Sequence, residues 1–262
     1  MTLPNAHRAM SDRGSVTYTA LFAAFVAVAL PLDRATSALG QSALGLTVWA
    51  FLVIALRLQS PAVRVQVVTL VILATVLEFI GSIVWGAYRY RLENLPLYVP
   101  AGHGLFYLAA LRVASLPLLE RHARRVIIGV TAGATLWMIY GLARPPLPDL
   151  LGFVTWAIFV RFIVRGRYPL LYAVSFAMTT ALELYGTGLG IWRWAPVLPG
   201  LMLPAGNPPT GIGAGYAAMD ALTRRIVRRL RRRPDGRLDA RTADGVALPP
   251  ASIPEPGDAL AD

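Results

Sequence analysis

A chain of 262 residues with 56% hydrophobic residues, only 15% charged and a mean hydropathy of +0.55 lacks the make-up of a water-soluble domain, where roughly 25% of residues are charged. It has no Cys and no Lys, all 25 basic residues being Arg, which excludes disulfides, thiolate catalysis, Cys-ligated metal centres, Schiff-base chemistry and the lysine of a phosphate-binding loop. The composition predicts an all-α, polytopic transmembrane helix bundle.

The N-terminal segment, 1–15, carries Arg8 and Arg13. Eight apolar runs follow, at about 16–32, 38–57, 66–87, 100–119, 126–143, 148–164, 169–189 and 209–230, each near the length that crosses a hydrocarbon core of about 30 Å. The first also fits a signal peptide, with small residues near Ala35 and Ala38. The last is interrupted by Pro208, Pro209 and Asp220, and its end reads as an amphipathic, Arg-rich helix. With the N-terminus inside, Arg57, Arg64, Arg121, Arg124, Arg125, Arg165 and Arg167 fall in cytoplasmic loops, and seven more lie between Arg224 and Arg233. Outside fall Arg34, Arg89, Arg91, Arg144 and Arg193. This bias and the even number of spans place both termini in the cytoplasm. The run from Arg224 to Arg233 reads as an anchor on anionic headgroups, at about 1 kcal/mol per basic residue, and not as a nucleic-acid site. Beyond Pro234 the composition predicts a disordered cytoplasmic tail, 234–262. Arg-only, Ala-rich usage points to a GC-rich bacterial genome, and so to a bacterial plasma membrane.

Two stretches repeat one another. The first reads Glu78, Gly81, Ser82, Gly86, Tyr88-Arg89-Tyr90 and Pro100-Ala101-Gly102-His103. The second reads Glu183, Gly186, Thr187, Gly190, Trp192-Arg193-Trp194 and Pro204-Ala205-Gly206-Asn207. From Gly86 onward the offset is 104 residues, and the two glutamates need a gap of one residue. The offset maps spans one to four onto spans five to eight. It predicts two parallel four-helix membrane repeats, 16–120 and 121–233, about an axis along the membrane normal. It also favours retention of the first span, whose counterpart at 126–143 cannot be a signal peptide.

Glu78 and Glu183 fall about two turns inside their helices, where an ionised carboxylate is expensive. They are expected to face a polar interior, share protons, or pair with Arg89 and Arg193, the latter as a brace between the halves. Two desolvated carboxylates in equivalent positions can hold different protonation states, one acid and one base. His103, at the start of the fourth span, is the natural proton shuttle beside them, although a His there also fits a structural hydrogen-bonding group. Glu78, Glu183 and His103 are therefore the candidate catalytic residues. Arg89, Arg193, Asn207, Tyr88, Tyr90, Trp192 and Trp194 are candidate substrate-binding residues, although the aromatics also fit an interfacial belt and Asn207 a helix cap. Three His in the whole chain, one of them near the glutamates, predict no metal site, and no cofactor is expected. Gly186, Gly188 and Gly190 leave room for close helix packing or a flat ligand. Asp220 is expected to pair along its helix with Arg224 or Arg225, whereas Arg112 has no near partner in the sequence.

The run Glu78-Phe79-Ile80-Gly81-Ser82 with Gly86-Ala87-Tyr88-Arg89-Tyr90, followed by Trp192, Trp194, Pro204 and Asn207, resembles the carotenoid biosynthesis membrane proteins, a family that includes the hydratase of C50, bacterioruberin-type carotenoid synthesis. The resemblance covers about a third of the chain. Ser82 stands where the family has Thr, Val84-Trp85 where it has Pro-Phe, and Tyr98-Val99-Pro100 where it has Gly-Val-Pro. The resemblance implies water addition across a terminal isoprenoid double bond, with Glu78 and Glu183 as proton donor and water-activating base. The leading expectation is an enzyme acting on a hydrophobic isoprenoid lipid. Its partners would be membrane lipids, a hydrophobic small-molecule substrate, and a membrane-protein partner or second copy. A small proton-coupled transporter and a non-catalytic assembly factor are the alternatives.

Overall fold

The computed structural model describes residues 12–230. The expected tail at 234–262, the arginines at 231–233 and most of the N-terminal segment lie outside these. The described chain is predominantly helical: α1 Asp12–Ala35, α2 Ala38–Arg57, α3 Pro61–Glu78, α4 Tyr98–Ala114, α5 Pro117–Arg121, α6 Ala123–Ala143, α7 Leu150–Arg165, α8 Pro169–Leu189 and α9 Ala214–Leu230. Among the described residues four helical segments are long and apolar enough to cross a membrane: Gly14–Ala35, Ala38–Arg57, Pro61–Val84 and Ala123–Ala143.

Proline sets several boundaries. Pro61, Pro117 and Pro169 open their helices, at a position where the missing N–H leaves nothing unsatisfied. The fourth apolar run, expected to 119, ends as α4 at Ala114. Pro117 holds Leu116 in an extended conformation, because the proline ring clashes with a helical predecessor. The last helix starts at Ala214 and not near 209, because residues 210–213 are taken up in turns, Ile212 N donating to Pro209 O and Ala214 N to Gly211 O.

Two small antiparallel pairs interrupt the all-α expectation: β1 Tyr88–Tyr90 with β2 Trp192–Trp194, and β3 Val197–Leu198 with β4 Leu203–Pro204. β1 and β2 are the two aromatic–Arg–aromatic motifs. Each follows a helix that ends at a glycine in the left-handed region, Gly86 at φ 71° and Gly190 at φ 72°, where a Cβ would be strained. The helices leading there differ. α3 passes into a π-helical turn, Phe79–Val84, whose bonds span one residue more than α-helical ones; Trp85 N donates to Ile80 O at 2.7 Å. The first motif has one more residue between its Ser/Thr and its Gly than the second. The π turn absorbs that residue, while α8 continues as regular helix to Leu189.

α4 is the central element, packed on α1, α2, α3 and α8, while α9 bridges α3, α7 and α8. Phe106, Tyr107, Leu108 and Leu111 are buried on it. Gly104 allows the close approach, since a Cβ there would stand 2.8 Å from Leu52 and Val71. Where the surroundings are lipid, such packing holds helices together more than apolar burial does. The outer faces stay apolar, as at Leu46, Ile54, Ile72, Leu136 and Val164.

Candidate functional site

β1 and β2 pair with each other in the register Tyr88↔Trp194, Arg89↔Arg193 and Tyr90↔Trp192. Side chains alternate across a strand, so the four aromatics share one face and the two arginines the other. Tyr88 and Trp194 rings lie 4.6 Å apart and Tyr90 and Trp192 rings 6.2 Å.

The aromatic face holds the glutamates. Tyr88 and Tyr90 hydroxyls donate to Glu78 Oε2 at 2.7 and 2.8 Å. Trp192 and Trp194 indoles donate to Glu183 Oε2 at 2.8 and 3.1 Å. Burial first, and then the neighbouring Glu78 carboxylate, raise the ionisation of both phenols well above the usual tyrosine value, so they remain donors. Ser82 and Thr187 hydroxyls bond back to the Glu78 and Glu183 carbonyls at 2.7 and 2.6 Å.

Outside these shared contacts the two sites differ. His103 Nε2 lies 2.9 Å from Glu78 Oε1, and its Nδ1 lies 2.6 Å from the Tyr216 hydroxyl. Since a carboxylate only accepts, Nε2 carries the proton, and in the neutral ring Nδ1 accepts from Tyr216. Asn207, at the equivalent position in the second motif, instead accepts from Trp194 N at 3.0 Å. It therefore props β2 and does not cap the last helix.

Glu78, Glu183, His103, Tyr88, Tyr90, Trp192 and Trp194 all line one cavity of about 450 Å³, within the usual range for ligand sites. The rest of its wall is largely apolar, including Phe22 of α1, Leu105 of α4 and Met219 of α9. Among the described residues no arginine lines it. Arg89 and Arg193 do not pair with the glutamates, because strand alternation turns them to the opposite face. Arg89 instead lies 3.9 Å from Glu93, both side chains exposed. Of its two expected partners Asp220 takes Arg224, whose Nε lies at 2.8 Å, and it also accepts from Tyr107. Arg112 reaches across to Gln59. Among the described residues no cluster of His, Cys, Asp or Glu could hold a metal ion.

Three contributors carry little signal in the sequence. Tyr216 is one aromatic in an apolar run, and only the fold sets it against His103. Asp149 follows a proline just before an apolar segment, a recognisable N-cap, and its side chain accepts from Gly152 N. Its reach to Gly206 N and Thr210 N, at 2.8 and 2.7 Å, is tertiary. Asp33, fully buried, accepts from Gln41 at 2.8 Å and from Arg91 through its carbonyl at 2.6 Å, fastening the chain after β1 to α1 and α2.

Comparison with known protein families, with curated proteins and with solved structures finds no match to this chain.

Proposed function

We propose that the chain is an integral membrane enzyme that adds water across a double bond of a hydrophobic, isoprenoid- or carotenoid-like lipid. The observation that carries this reading is the gathering of Glu183 and the Glu78–His103 pair in the wall of one largely apolar cavity. Glu78 accepts hydrogen bonds at both oxygens, one from an imidazole, and acts as the carboxylate. The indoles bind Glu183 only through Oε2, leaving Oε1 to carry a proton. In the reverse of the order that the resemblance implies, Glu183 gives that proton to one alkene carbon, and the electron-poor carbon formed beside it takes a water oxygen. The Glu78–His103 pair takes the proton that the water releases. The π bond breaks, one C–H and one C–O bond form, and a proton returned from Glu78 to Glu183 resets the pair. Aromatic faces around the site stabilise the transient cation.

In the bilayer, α1–α4 and α6–α9 stand as eight spans in two parallel four-helix repeats, with β1 and β2 on the outer face of a bacterial plasma membrane and both termini cytoplasmic. The pairing of β1 with β2 about Arg89 and Arg193, and the packing of α3 on α9 and α4 on α8, support this symmetry. Closure of the bundle nearer its arginine-rich end by the buried Tyr107, Asp220 and Thr223 favours a one-sided pocket over a transport path.

The test is expression of wild type, Glu78→Gln and Glu183→Gln in a host that accumulates an acyclic polyene, grown in oxygen-18 water. The wild type yields labelled hydroxylated polyene and both variants, equally expressed, yield none. Undiminished product from both variants overturns the proposal.

A further inference from the structure

Two glycines of the cavity wall are not there for packing. A Cβ at Gly104 would press on Leu52 and Val71, and one at Gly213 on Phe176, each at 2.8 Å. At Gly102 and Gly215 it would meet nothing within 4 Å, and both residues line the cavity. Gly102 precedes His103 on α4, and Gly215 precedes Tyr216 on α9. The two open positions thus flank the hydrogen-bonded His103–Tyr216 pair from two different helices. Neither glycine has positive φ, so the backbone does not require them, and Gly102, a full turn inside α4, sits where glycine is unfavourable relative to alanine. What a side chain would occupy at both positions is cavity space beside the proton-handling groups.

We propose that Gly102 and Gly215 form the slot in which an uncharged hydrocarbon chain lies against His103 and Tyr216, and that they set the width of chain the site accepts. This rests on the cavity being the substrate site. The carboxyl and imidazole side chains in its wall are Glu78, Glu183 and His103, beside four tyrosines, so an anionic headgroup would meet carboxylates without a balancing arginine. The volume of about 450 Å³ is about three times the 150 Å³ that takes one benzene. It therefore encloses on the order of fifteen to twenty carbons. A longer polyene enters by one end and leaves the remainder in the bilayer. Leu222, in the same wall and 44% exposed, lies about 9 Å along α9 from Tyr216, which puts an opening on the flank of the bundle, where a chain held in lipid arrives.

Retinol is a suitable probe: it is a neutral twenty-carbon polyene whose absorption overlaps tryptophan emission, and Trp192 and Trp194 line the cavity. Saturable energy transfer is measured on the full chain in lipid nanodiscs for wild type, Gly102→Ala, Gly215→Ala and Gly129→Ala, with Tm recorded for each. Gly129 is equally open but lies outside the cavity wall. Both cavity variants should keep or raise Tm and bind retinol about tenfold or more weakly, since one methylene in an apolar pocket changes discrimination about 10–200-fold. Gly129→Ala should match wild type in affinity. Unchanged affinity in both cavity variants overturns the slot and leaves the site standing. Absence of saturable transfer in the wild type overturns the slot and the lipid site together.

Discussion

Removing the Asp149 carboxylate should detach the segment before the last helix from the helix it leans on. Asp149 is 4% exposed. Its Oδ1 accepts from Gly152 N and Gly206 N, both at 2.8 Å, and its Oδ2 from Thr210 N at 2.7 Å. The Gly152 bond is an N-cap, worth about 1 kcal/mol. The other two amides, left without an acceptor, cost about 1–3 kcal/mol each. Asp149→Ala should therefore destabilise by about 3–7 kcal/mol, a large share of a typical stability of about 5–15 kcal/mol. Asp149→Asn can keep both Oδ1 bonds and loses only the one to Thr210, so it should cost about 1–3 kcal/mol. The same segment contains Asn207, which accepts from Trp194 N, so the damage should spread to β2 and to the indole bonds on Glu183. Thermal unfolding in mild detergent, followed by tryptophan fluorescence, should rank wild type above Asn and Asn above Ala. An Ala variant within about 1 kcal/mol of wild type would refute a carboxylate clamp, because a single unsatisfied buried amide already costs that much.

The equivalent glycines beneath β1 and β2 should respond unequally. A Cβ at Gly186 would overlap the Trp192 ring, whereas one at Gly81 meets the Tyr88 ring at 3.1 Å. Gly186→Ala should cost about 1–3 kcal/mol as an overpacked site and shift tryptophan emission, while Gly81→Ala should cost less than about 1 kcal/mol; equal losses would show that ring approach is not what these glycines serve. Alkaline pH should weaken the fold through Tyr88 and Tyr90. Their ionisation is raised in the folded chain, chiefly by burial, so above the ordinary phenol value of about 10 the unfolded chain holds fewer protons and stability falls as pH rises. The contribution is complete below about pH 10, and a Tyr88→Phe, Tyr90→Phe chain should show a shallower decline in Tm above it.

Composition and apolar run length were enough to determine that this chain is helical and suited to a membrane, because segment length and the absence of charge depend on neighbouring residues alone. Repetition within the sequence likewise singled out Glu78, Glu183, His103 and the four aromatics, all of which line one cavity. The same repetition made Arg89 and Arg193 look like partners of the glutamates. A pattern of three residues does not show that they form a strand, and it is the strand's alternation that turns the arginines away. The one-residue mismatch between the motifs was visible as a gap, but only the helix geometry made it a π turn. Tyr216, Asp33 and the outer reach of Asp149 were decided wholly by tertiary structure. Each acts on a group far away in the chain, and distance through space is not written in the spacing along it.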